Sequence, residues 1–160
     1  MAYRRVDSPA PRLRGIADSA SGDPVLLVDS NVILDVLCDD PTWAHWSREQ
    51  LRVQSLVHPL AINAVIYSEI SIAFDSVSKL ERTIDDLGLR MLEIPRPALF
   101  LAGKAFVQYR RRGGTKQSIL ADFFVGAHAA VVDLAVLTRD GQRYRSYFPT
   151  VEVISPDRAN

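Results

Sequence analysis

Four carboxylates are the side chains of this sequence best placed to do chemistry, and two of them follow predicted strands. Asp29 comes directly after the apolar run Val25–Val28, and Asp140 comes two residues after Thr138, at the end of another apolar run. In open parallel sheets, ligands bind beyond the carboxyl ends of the strands, so both side chains are expected to reach one crevice. Taken alone, an aspartate in this position usually caps a turn or a helix.

The other two carboxylates lie on the apolar faces of predicted helices. The neighbours of Glu69 three and four residues away are all apolar: Val65, Ile66, Ile72 and Ala73. Asp122 repeats this pattern, with Ile119, Val125 and Ala129 on its face. A buried, unpaired carboxylate is costly, so each acid needs an arginine, hydrogen-bond donors or a cation as a partner. A structural salt bridge and a metal site are therefore both open for Glu69 and Asp122.

Taken together, the four acids favour a divalent metal. Four converging carboxylates would repel one another and stay partly protonated, and a hard cation removes that conflict. Mg²⁺ and Mn²⁺ prefer carboxylate and water oxygens, lower the pKa of an attacking water and stabilise charge on a leaving oxygen. The single cysteine and the three scattered histidines offer no zinc motif and are predicted to be structural. The pattern predicts metal-assisted phosphodiester hydrolysis.

Composition bounds the class of protein. The chain has 160 residues, 48% hydrophobic and 24% charged, which suits one globular domain with a full core. Its 19 basic and 19 acidic residues give a net charge of zero, so nucleic acid would have to bind at a local basic patch. No apolar run approaches the roughly 20 residues of a membrane span, and no secretory signal is evident. A single cysteine suits a reducing compartment, and we expect a cytoplasmic protein without membrane partners.

Helices and short apolar strands alternate along the chain. Strands are predicted at Val25–Val28, Leu56–Leu60, Leu89–Ile94, Ala135–Thr138 and Val151–Ile154. Helices are predicted at Val32–Leu37, Thr42–Gln54, Asn63–Phe74, Ser76–Leu87, Ala98–Arg112 and Ser118–Val132. This alternation predicts a single α/β domain with a mainly parallel sheet over residues 24–156. Residues 1–23 are predicted to form a flexible basic arm, and residues 157–160 a C-terminal tail.

Four segments resemble the motifs of PIN domains. They are Val28–Asp35 with Asp29, Ala64–Ile70 with Glu69, Ala121–Phe124 with Asp122, and Leu137–Asp140 followed by Tyr144 and Phe148. The resemblance covers about Pro24 to Pro156 and is greatest to VapC-type toxins of bacterial toxin–antitoxin pairs. It implies a three-layer α/β/α sandwich and an endoribonuclease that depends on Mg²⁺ or Mn²⁺. It also implies a homodimer and inhibition by a cognate antitoxin. The long basic arm departs from the family pattern.

The resemblance also implies roles for individual residues, position by position. Asp29, Glu69 and Asp122 match the three metal-centring acids, and Asp140 matches a fourth, more variable acidic position. Thr138 matches a hydroxyl position that helps to hold the site. Ser30 and Asn31 lie beside Asp29 and are expected to orient it.

Two basic stretches are candidate RNA-binding surfaces. One comprises Arg110, Arg111, Arg112 and Lys116, just before the Asp122 helix; the alternative for it is a solvated helix end. The other comprises Arg139, Arg143 and Arg145, around Tyr144, which is predicted to stack on a base. Asp35 is interpreted as an exposed helix carboxylate, with the outer shell of the metal as the alternative.

Two other functions compete with the ribonuclease. A phosphatase would use Asp29 as a nucleophile, but it would want a second acid where this chain has Asn31, and a well-placed lysine. A catalytically inactive PIN-like module, RNA-binding or regulatory, would keep the fold without the activity. Retention of all four acids argues against it.

Overall fold

A parallel five-stranded sheet lies at the centre of the fold. The structure, a computed structural model, describes residues 24–116 and 119–156. Its strands are β1 (Leu26–Val28), β2 (Leu60–Asn63), β3 (Arg90–Leu92), β4 (Ala135–Leu137) and β5 (Val153–Ile154). They are arranged in the order β3-β2-β1-β4-β5, and every neighbouring pair is parallel. β1, β2 and β4 are buried throughout, as apolar strands covered on both faces must be.

Seven α-helices occur in the described ranges. They are α1 (Ser30–Leu37), α2 (Ala44–Gln54), α3 (Ala64–Ile70), α4 (Val77–Asp86), α5 (Arg96–Arg111), α6 (Leu120–Val132) and α7 (Gly141–Tyr147). The connections from β1 to β2 to β3 and those from β3 to β4 to β5 run in opposite directions along the sheet. Because parallel crossovers are right-handed, helices of the two series cover opposite faces. The predicted α/β/α architecture with a parallel sheet is confirmed.

The strand order places a crevice between β1 and β4. The chain leaves β1 toward β2 and leaves β4 toward β5, so the connections diverge at the carboxyl ends of these two strands. Leu26 lies beside Ala135 and Val28 beside Leu137, which aligns the ends of both strands. Such a switch point is where ligands bind in open α/β sheets.

Polar residues at the ends of two strands also cap the helices that follow. Asp29 accepts a hydrogen bond from the backbone N–H of Ser30 at the start of α1. Asn63, the last residue of β2, accepts hydrogen bonds from the N–H groups of Val65 and Ile66 in α3. Because each cap satisfies orphan N–H groups of a helix, it fixes the angle at which the helix leaves the sheet.

An aromatic cluster joins α5, α6 and α7. Phe123 of α6 is fully buried, and its ring makes edge contacts with Phe106, Tyr109, Tyr147 and Phe148. Gly126, one turn further along α6, lies under the ring of Phe148, where a Cβ atom would clash with the ring carbons. The close approach of α7 to α6 therefore depends on this glycine.

Several boundaries differ from the sequence predictions. The strand predicted at Leu56–Leu60 is wrong: Leu56 is 74% exposed in a turn, and the strand begins at Leu60 because Ala61 and Ile62 complete the buried run. The helix predicted at Asn63–Phe74 ends at Ile70 and continues only as a 3-10 turn. Helix α7 was not predicted, since its seven residues begin with a glycine and include three polar or charged positions on its exposed side.

Some expectations lie outside the described residues. The basic arm at residues 1–23, the tail at 157–160 and Ser118, the first residue of a predicted helix, all belong to this group. No helix in the described parts of the chain is long and apolar enough to cross a membrane.

Candidate active site

Asp29 accepts four hydrogen bonds at the site. It is 3% exposed, and its Oδ1 accepts a hydrogen bond from the Ser30 N–H at 2.8 Å. Its Oδ2 accepts from Asn31 Nδ2 at 3.1 Å, Thr138 Oγ1 at 2.8 Å and the Tyr144 hydroxyl at 3.0 Å. These donors come from α1, the end of β4 and α7. They hold the carboxylate in one orientation at the mouth of the crevice.

Thr138 and Asn31 connect the end of β4 to α1. The Thr138 hydroxyl donates to Asp29 and accepts from Asn31 Nδ2 and from the Asp140 N–H, both at 3.1 Å. This uses the donor and both lone pairs of the hydroxyl. Asn31 Oδ1 accepts from the Arg139 N–H at 3.2 Å. The structure thus brings Ser30, Asn31 and Thr138 into contact with Asp29 or its partners.

Glu69 projects from α3 toward Asp29 and is half-buried. Burial raises the pKa of its carboxyl, a hydrogen bond with Ser30 opposes that shift, and the charge of Asp29 raises it further. Glu69 forms no ion pair with any residue that the structure describes. The burial of Glu69 that its apolar neighbours predicted is only partial. Helix α3 ends at Ile70, and Ile72, in the 3-10 turn that follows, is 81% exposed.

The pKa of Asp29 is also raised. Burial is the main cause, and the nearby charge of Asp140 adds to it. The hydrogen bonds from Thr138, Tyr144 and Ser30 act in the opposite direction because they stabilise the ionised form. The ionised carboxylate of Asp29 is therefore repelled by those of Asp140 and Glu69.

Asp122 and Asp140 face each other across an arginine. Asp122 of α6 forms an ion pair with Arg143 Nη1, and Arg143 Nη2 lies 4.0 Å from Asp140 Oδ2. The Asp122 side chain is 23% exposed and that of Asp140 is 56% exposed. The salt bridge left open by the sequence is therefore present at Asp122, and its partner comes from the helix that was not predicted.

The donor chemistry of this cluster fits a divalent cation. Within residues 24–116 and 119–156, no three Asp, Glu, His or Cys side chains are already arranged as a metal site. Asp29 nonetheless lies within range of the charges of Glu69 and Asp140, and Arg143 joins Asp122 to Asp140. All available ligands are oxygens, which suit Mg²⁺ or Mn²⁺ and do not suit soft metals. Asp29, Glu69, Asp122 and Asp140 are the residues that would hold such an ion.

The two predicted basic stretches lie in different settings. The first is exposed at the end of α5, where Arg110 donates to the carbonyls of Gly114 and Thr115. In the second, Arg139 donates to Asp35 at 2.6 Å, while Arg145 donates to Ser155 Oγ at 2.9 Å. An open cleft of about 560 Å³ lies beside Asp140. Its lining includes Arg139, Gln142, Arg145 and Ser155.

Two residues have other roles than the sequence indicated. Tyr144 is 2% exposed, so the prediction that its ring stacks on a base is wrong; its hydroxyl points at Asp29 instead. Burial and the charge of Asp29 raise the pKa of Tyr144, which keeps the hydroxyl protonated as a donor. The aromatic spacing of Tyr144, Tyr147 and Phe148 was the signal of an inward-facing helix side.

Asp35 is likewise not the exposed carboxylate that the sequence indicated. It is 3% exposed and accepts hydrogen bonds from Ser47 Oγ at 2.8 Å and from Arg139 Nη1 at 2.6 Å. Burial raises the pKa of its carboxyl, against the effects of Ser47 and Arg139. The pair ties the loop after β4 to α1 and α2, and so supports the position of Asp140.

A buried polar pair connects α3 to α6 beneath the site. Asn63 Nδ2 lies 3.2 Å from His128 Nδ1, and both side chains are almost fully buried. Burial lowers the pKa of His128 to about 4, so the ring is neutral near pH 7 and Nδ1 accepts the amide proton. His128 is therefore a structural histidine, as predicted.

Comparisons with known proteins agree with this geometry. The family model described as PIN domain matches residues 26–148. A chain of VapBC2 from Rickettsia felis, bound to a promoter DNA fragment, is similar with a TM-score of 0.63 and 12% identity, covering 83% of this chain and 99% of that one. A chain of FitAcB from Neisseria gonorrhoeae is similar with a TM-score of 0.60 and 22% identity, covering 84% of this chain and 99% of that one. A chain of a toxin–antitoxin complex from Klebsiella pneumoniae is similar with a TM-score of 0.56 and 17% identity, covering 82% of this chain and 97% of that one. No protein with a curated description matches the sequence.

Proposed function

Because this chain belongs to the PIN-domain family, we propose that it is an endoribonuclease that depends on Mg²⁺ or Mn²⁺ and acts as the toxin of a toxin–antitoxin pair. One observation carries the proposal. At the β1–β4 crevice, Asp29 lies within range of the charges of Glu69 and Asp140, and Arg143 joins Asp122 of α6 to Asp140. This excess of oxygen ligands and negative charge suits a divalent cation and a phosphodiester substrate.

Asp29, Glu69, Asp122 and Asp140 would hold the cation, which would lower the pKa of a water molecule and stabilise charge on the leaving oxygen. Asp29 is already oriented by its four hydrogen-bond donors, so little conformational entropy is lost when it binds an ion. Burial and the charge of Asp29 raise the pKa of Glu69, so a bound cation would relieve the repulsion between these two carboxylates.

The basic residues near the site are proposed to hold the RNA backbone. Arg143 lies beside Asp122 and Asp140, and Arg139 and Arg145 line the cleft beside Asp140. Arg112, at the end of α5, lies over the ring of Tyr147 in α7. The proposed contacts are Arg110, Arg111, Arg112, Lys116, Arg139, Arg143 and Arg145. Since phosphate contacts carry no sequence information, these residues position RNA without selecting its sequence. A local patch of this kind is needed because the whole chain is neutral.

We propose a cognate antitoxin as the protein partner. The support comes from the structural neighbours, which are VapBC and FitAcB assemblies and a toxin–antitoxin complex. A second copy of this chain is proposed as a further partner. An apolar groove of about 610 Å³ runs between the edge strand β3, α3 and α5, and its lining includes Met91 and Leu99. Phe100, 68% exposed, follows Leu99 in α5.

The competing phosphatase is disfavoured by the surroundings of Asp29. A phosphatase of this kind would want a second acid where this chain has Asn31, and the Asn31 amide instead donates to Asp29 Oδ2 and Thr138 Oγ1. An inactive RNA-binding module remains the alternative, and the ion pair between Asp122 and Arg143 is the observation that favours it.

Cleavage of purified RNA with Mg²⁺, Mn²⁺ or a chelator tests the proposal. We expect cleavage only with metal, and a loss of more than about 100-fold in Asp29→Asn, Glu69→Gln and Asp122→Asn, since even outer-shell changes at metal sites cost 10–100-fold. Asp140→Asn should be milder because an amide oxygen can still ligate or order a water. Glu152→Gln, an exposed acid outside the crevice, is the matched control. Binding of RNA without cleavage under all conditions would support the inactive module instead.

A further inference from the structure

Arg143 is the one member of its arginine group that faces the acids of the site. Three arginines lie between β4 and β5, in a segment that the structure describes throughout. Arg139 is bound to Asp35, and Arg145 to Ser155 and the carbonyl of Val153. Arg143 alone reaches Asp122, and its second terminal nitrogen approaches Asp140.

The position of Arg143 is that of a counter-ion between two acids. Its side chain is 31% exposed and leaves α7 between Asp122 of α6 and Asp140, which directly precedes α7. A planar guanidinium presents several donors to carboxylates in a fixed geometry, so it can satisfy one carboxylate closely while attracting a second. Asp29 and Glu69 form no ion pair with a described residue, so the positive charge in the crevice is concentrated at Asp122.

We propose that Arg143 is a resident counter-ion that holds Asp122 while no cation is bound and competes with the cation for that carboxylate. This inference rests on the proposed metal-dependent function. An ion that binds Asp122 must displace the guanidinium, so its apparent affinity is reduced by the fraction of molecules in which the ion pair is closed. The displaced guanidinium stays on α7 beside Asp140 and the cleft, where it can contact a phosphate of the substrate.

The inference predicts that removal of Arg143 tightens metal binding. Free Mn²⁺ can be counted by its electron paramagnetic resonance signal in titrations of the wild type, Arg143→Gln, Arg143→Lys and Arg82→Gln. Arg82→Gln removes the same charge from the exposed surface of α4 and is the matched control. We expect Arg143→Gln to bind Mn²⁺ about fivefold tighter or more, which corresponds to an ion pair near the upper end for exposed pairs. Arg143→Lys keeps the charge with fewer donors, so its Mn²⁺ affinity should lie between those of the wild type and Arg143→Gln. The Mn²⁺ affinity of Arg82→Gln should match that of the wild type.

Thermal unfolding of the same proteins gives a second readout. In chelator, Arg143→Gln should melt below the wild type because Asp122 loses its partner, and Mn²⁺ should raise its midpoint by more than it raises that of the wild type. Equal or weaker Mn²⁺ binding by a folded Arg143→Gln protein would overturn the inference while leaving the proposed function intact. Failure of both proteins to bind Mn²⁺ would overturn both proposals. Binding by the variant alone would support the competition strongly.

Discussion

At the scale of single residues, hydrogen bonds hold the site together more than opposite charges do. Asp29 accepts four of them, and the donors include a hydroxyl from β4's end and another from α7. Glu69 has a hydrogen bond with Ser30, and the charge of Asp29 raises its pKa. The two acids therefore differ in what they contribute to folding, although both have raised pKa values.

The Tyr144 hydroxyl is predicted to position Asp29 for catalysis. Tyr144→Phe keeps the ring in the core and removes one donor from Asp29 Oδ2. We expect RNA cleavage to fall about 10–100-fold, as for other outer-shell partners of metal ligands, with a loss of about 1 kcal/mol in the free energy of unfolding. Tyr147→Phe, in the same helix, is the control. Unchanged cleavage by Tyr144→Phe in single-turnover assays would show that Asp29 is positioned without it.

Neutralising Glu69 and Asp29 should have opposite effects on stability in chelator. Glu69→Gln removes a charge that burial and Asp29 disfavour, so its melting midpoint should rise by roughly 2–4 °C, equivalent to about 1 kcal/mol in a domain near this size. Asp29→Asn should melt lower, because an amide nitrogen cannot accept hydrogen bonds from the surrounding donors, and an unpaired buried group costs about 1–3 kcal/mol. A higher midpoint for Asp29→Asn than for the wild type would mean that charge repulsion dominates.

The pH dependence of stability follows from the raised pKa of Glu69. Because the pKa of Glu69 is higher in the folded chain than its ordinary value of 4.5, the folded chain binds more protons between the two values. This contribution to the free energy of unfolding therefore increases as pH falls through that window. Urea unfolding in chelator at stepped pH should show a larger increase in the wild type than in Glu69→Gln, which keeps the raised pKa of Asp29.

At the scale of secondary structure, the sequence predicted elements with long, regular patterns better than short ones. Helices α2, α4, α5 and α6 lie close to their predicted ranges, and Asp29 and Glu69 were placed on the correct elements. Helix α7 was missed because seven residues give too little periodicity, and with it the two site contacts made by Arg143 and Tyr144. Partners across the fold, such as Arg139 for Asp35, depend on tertiary geometry and leave no local pattern.

The buried link between α3 and α6 should weaken in acid. His128 has a pKa of about 4 in the folded chain and an ordinary value of 6.5, so the unfolded chain binds more protons between these values. The contribution of His128 to stability is full above pH 6.5 and is lost as pH falls toward 4, by at most about 3 kcal/mol at 1.4 kcal/mol per pKa unit. His128→Gln keeps an acceptor for Asn63 and does not titrate. As pH falls from 6.5 to 4, the free energy of unfolding of the wild type should decrease relative to that of His128→Gln. A difference between the two proteins that stays constant over this range would contradict a buried, neutral His128 ring.

At the scale of the whole molecule, a neutral chain presents its functions as separate local surfaces. The acids and arginines lie near the carboxyl ends of β1 and β4, while the apolar groove lies beside edge strand β3, with Ala64 and Val65 of α3 and Phe124 of α6 in its lining. The four acids and the arginines of the cleft do not line the groove, so a substitution in the groove leaves these side chains in place. Catalysis and self-association are therefore expected to be separable by mutation.

The groove is predicted to mediate dimer formation. Leu99→Glu places a charge on a residue of α5 that lines the groove and is 43% exposed, and it should shift the protein from dimer to monomer in light scattering coupled to gel filtration. Leu56→Glu, 74% exposed in the turn before β2, is the control and should remain dimeric. A monomeric wild type, or a Leu99→Glu protein that remains dimeric, would exclude the groove as the interface.

The central claim is that the carboxylates at the β1–β4 crevice use a divalent cation to direct water at an RNA phosphodiester. Mass spectrometry of the RNA ends produced in ¹⁸O-labelled water, with Mg²⁺ or Mn²⁺ present, tests it most directly. Attack by water breaks one P–O bond and leaves one solvent oxygen on the new terminal phosphate. We therefore expect a single ¹⁸O atom on the phosphate-bearing end at each cut and none on the hydroxyl end, with no product from Asp122→Asn. A 2′,3′-cyclic phosphate without label, which forms when the ribose hydroxyl attacks, would contradict the account.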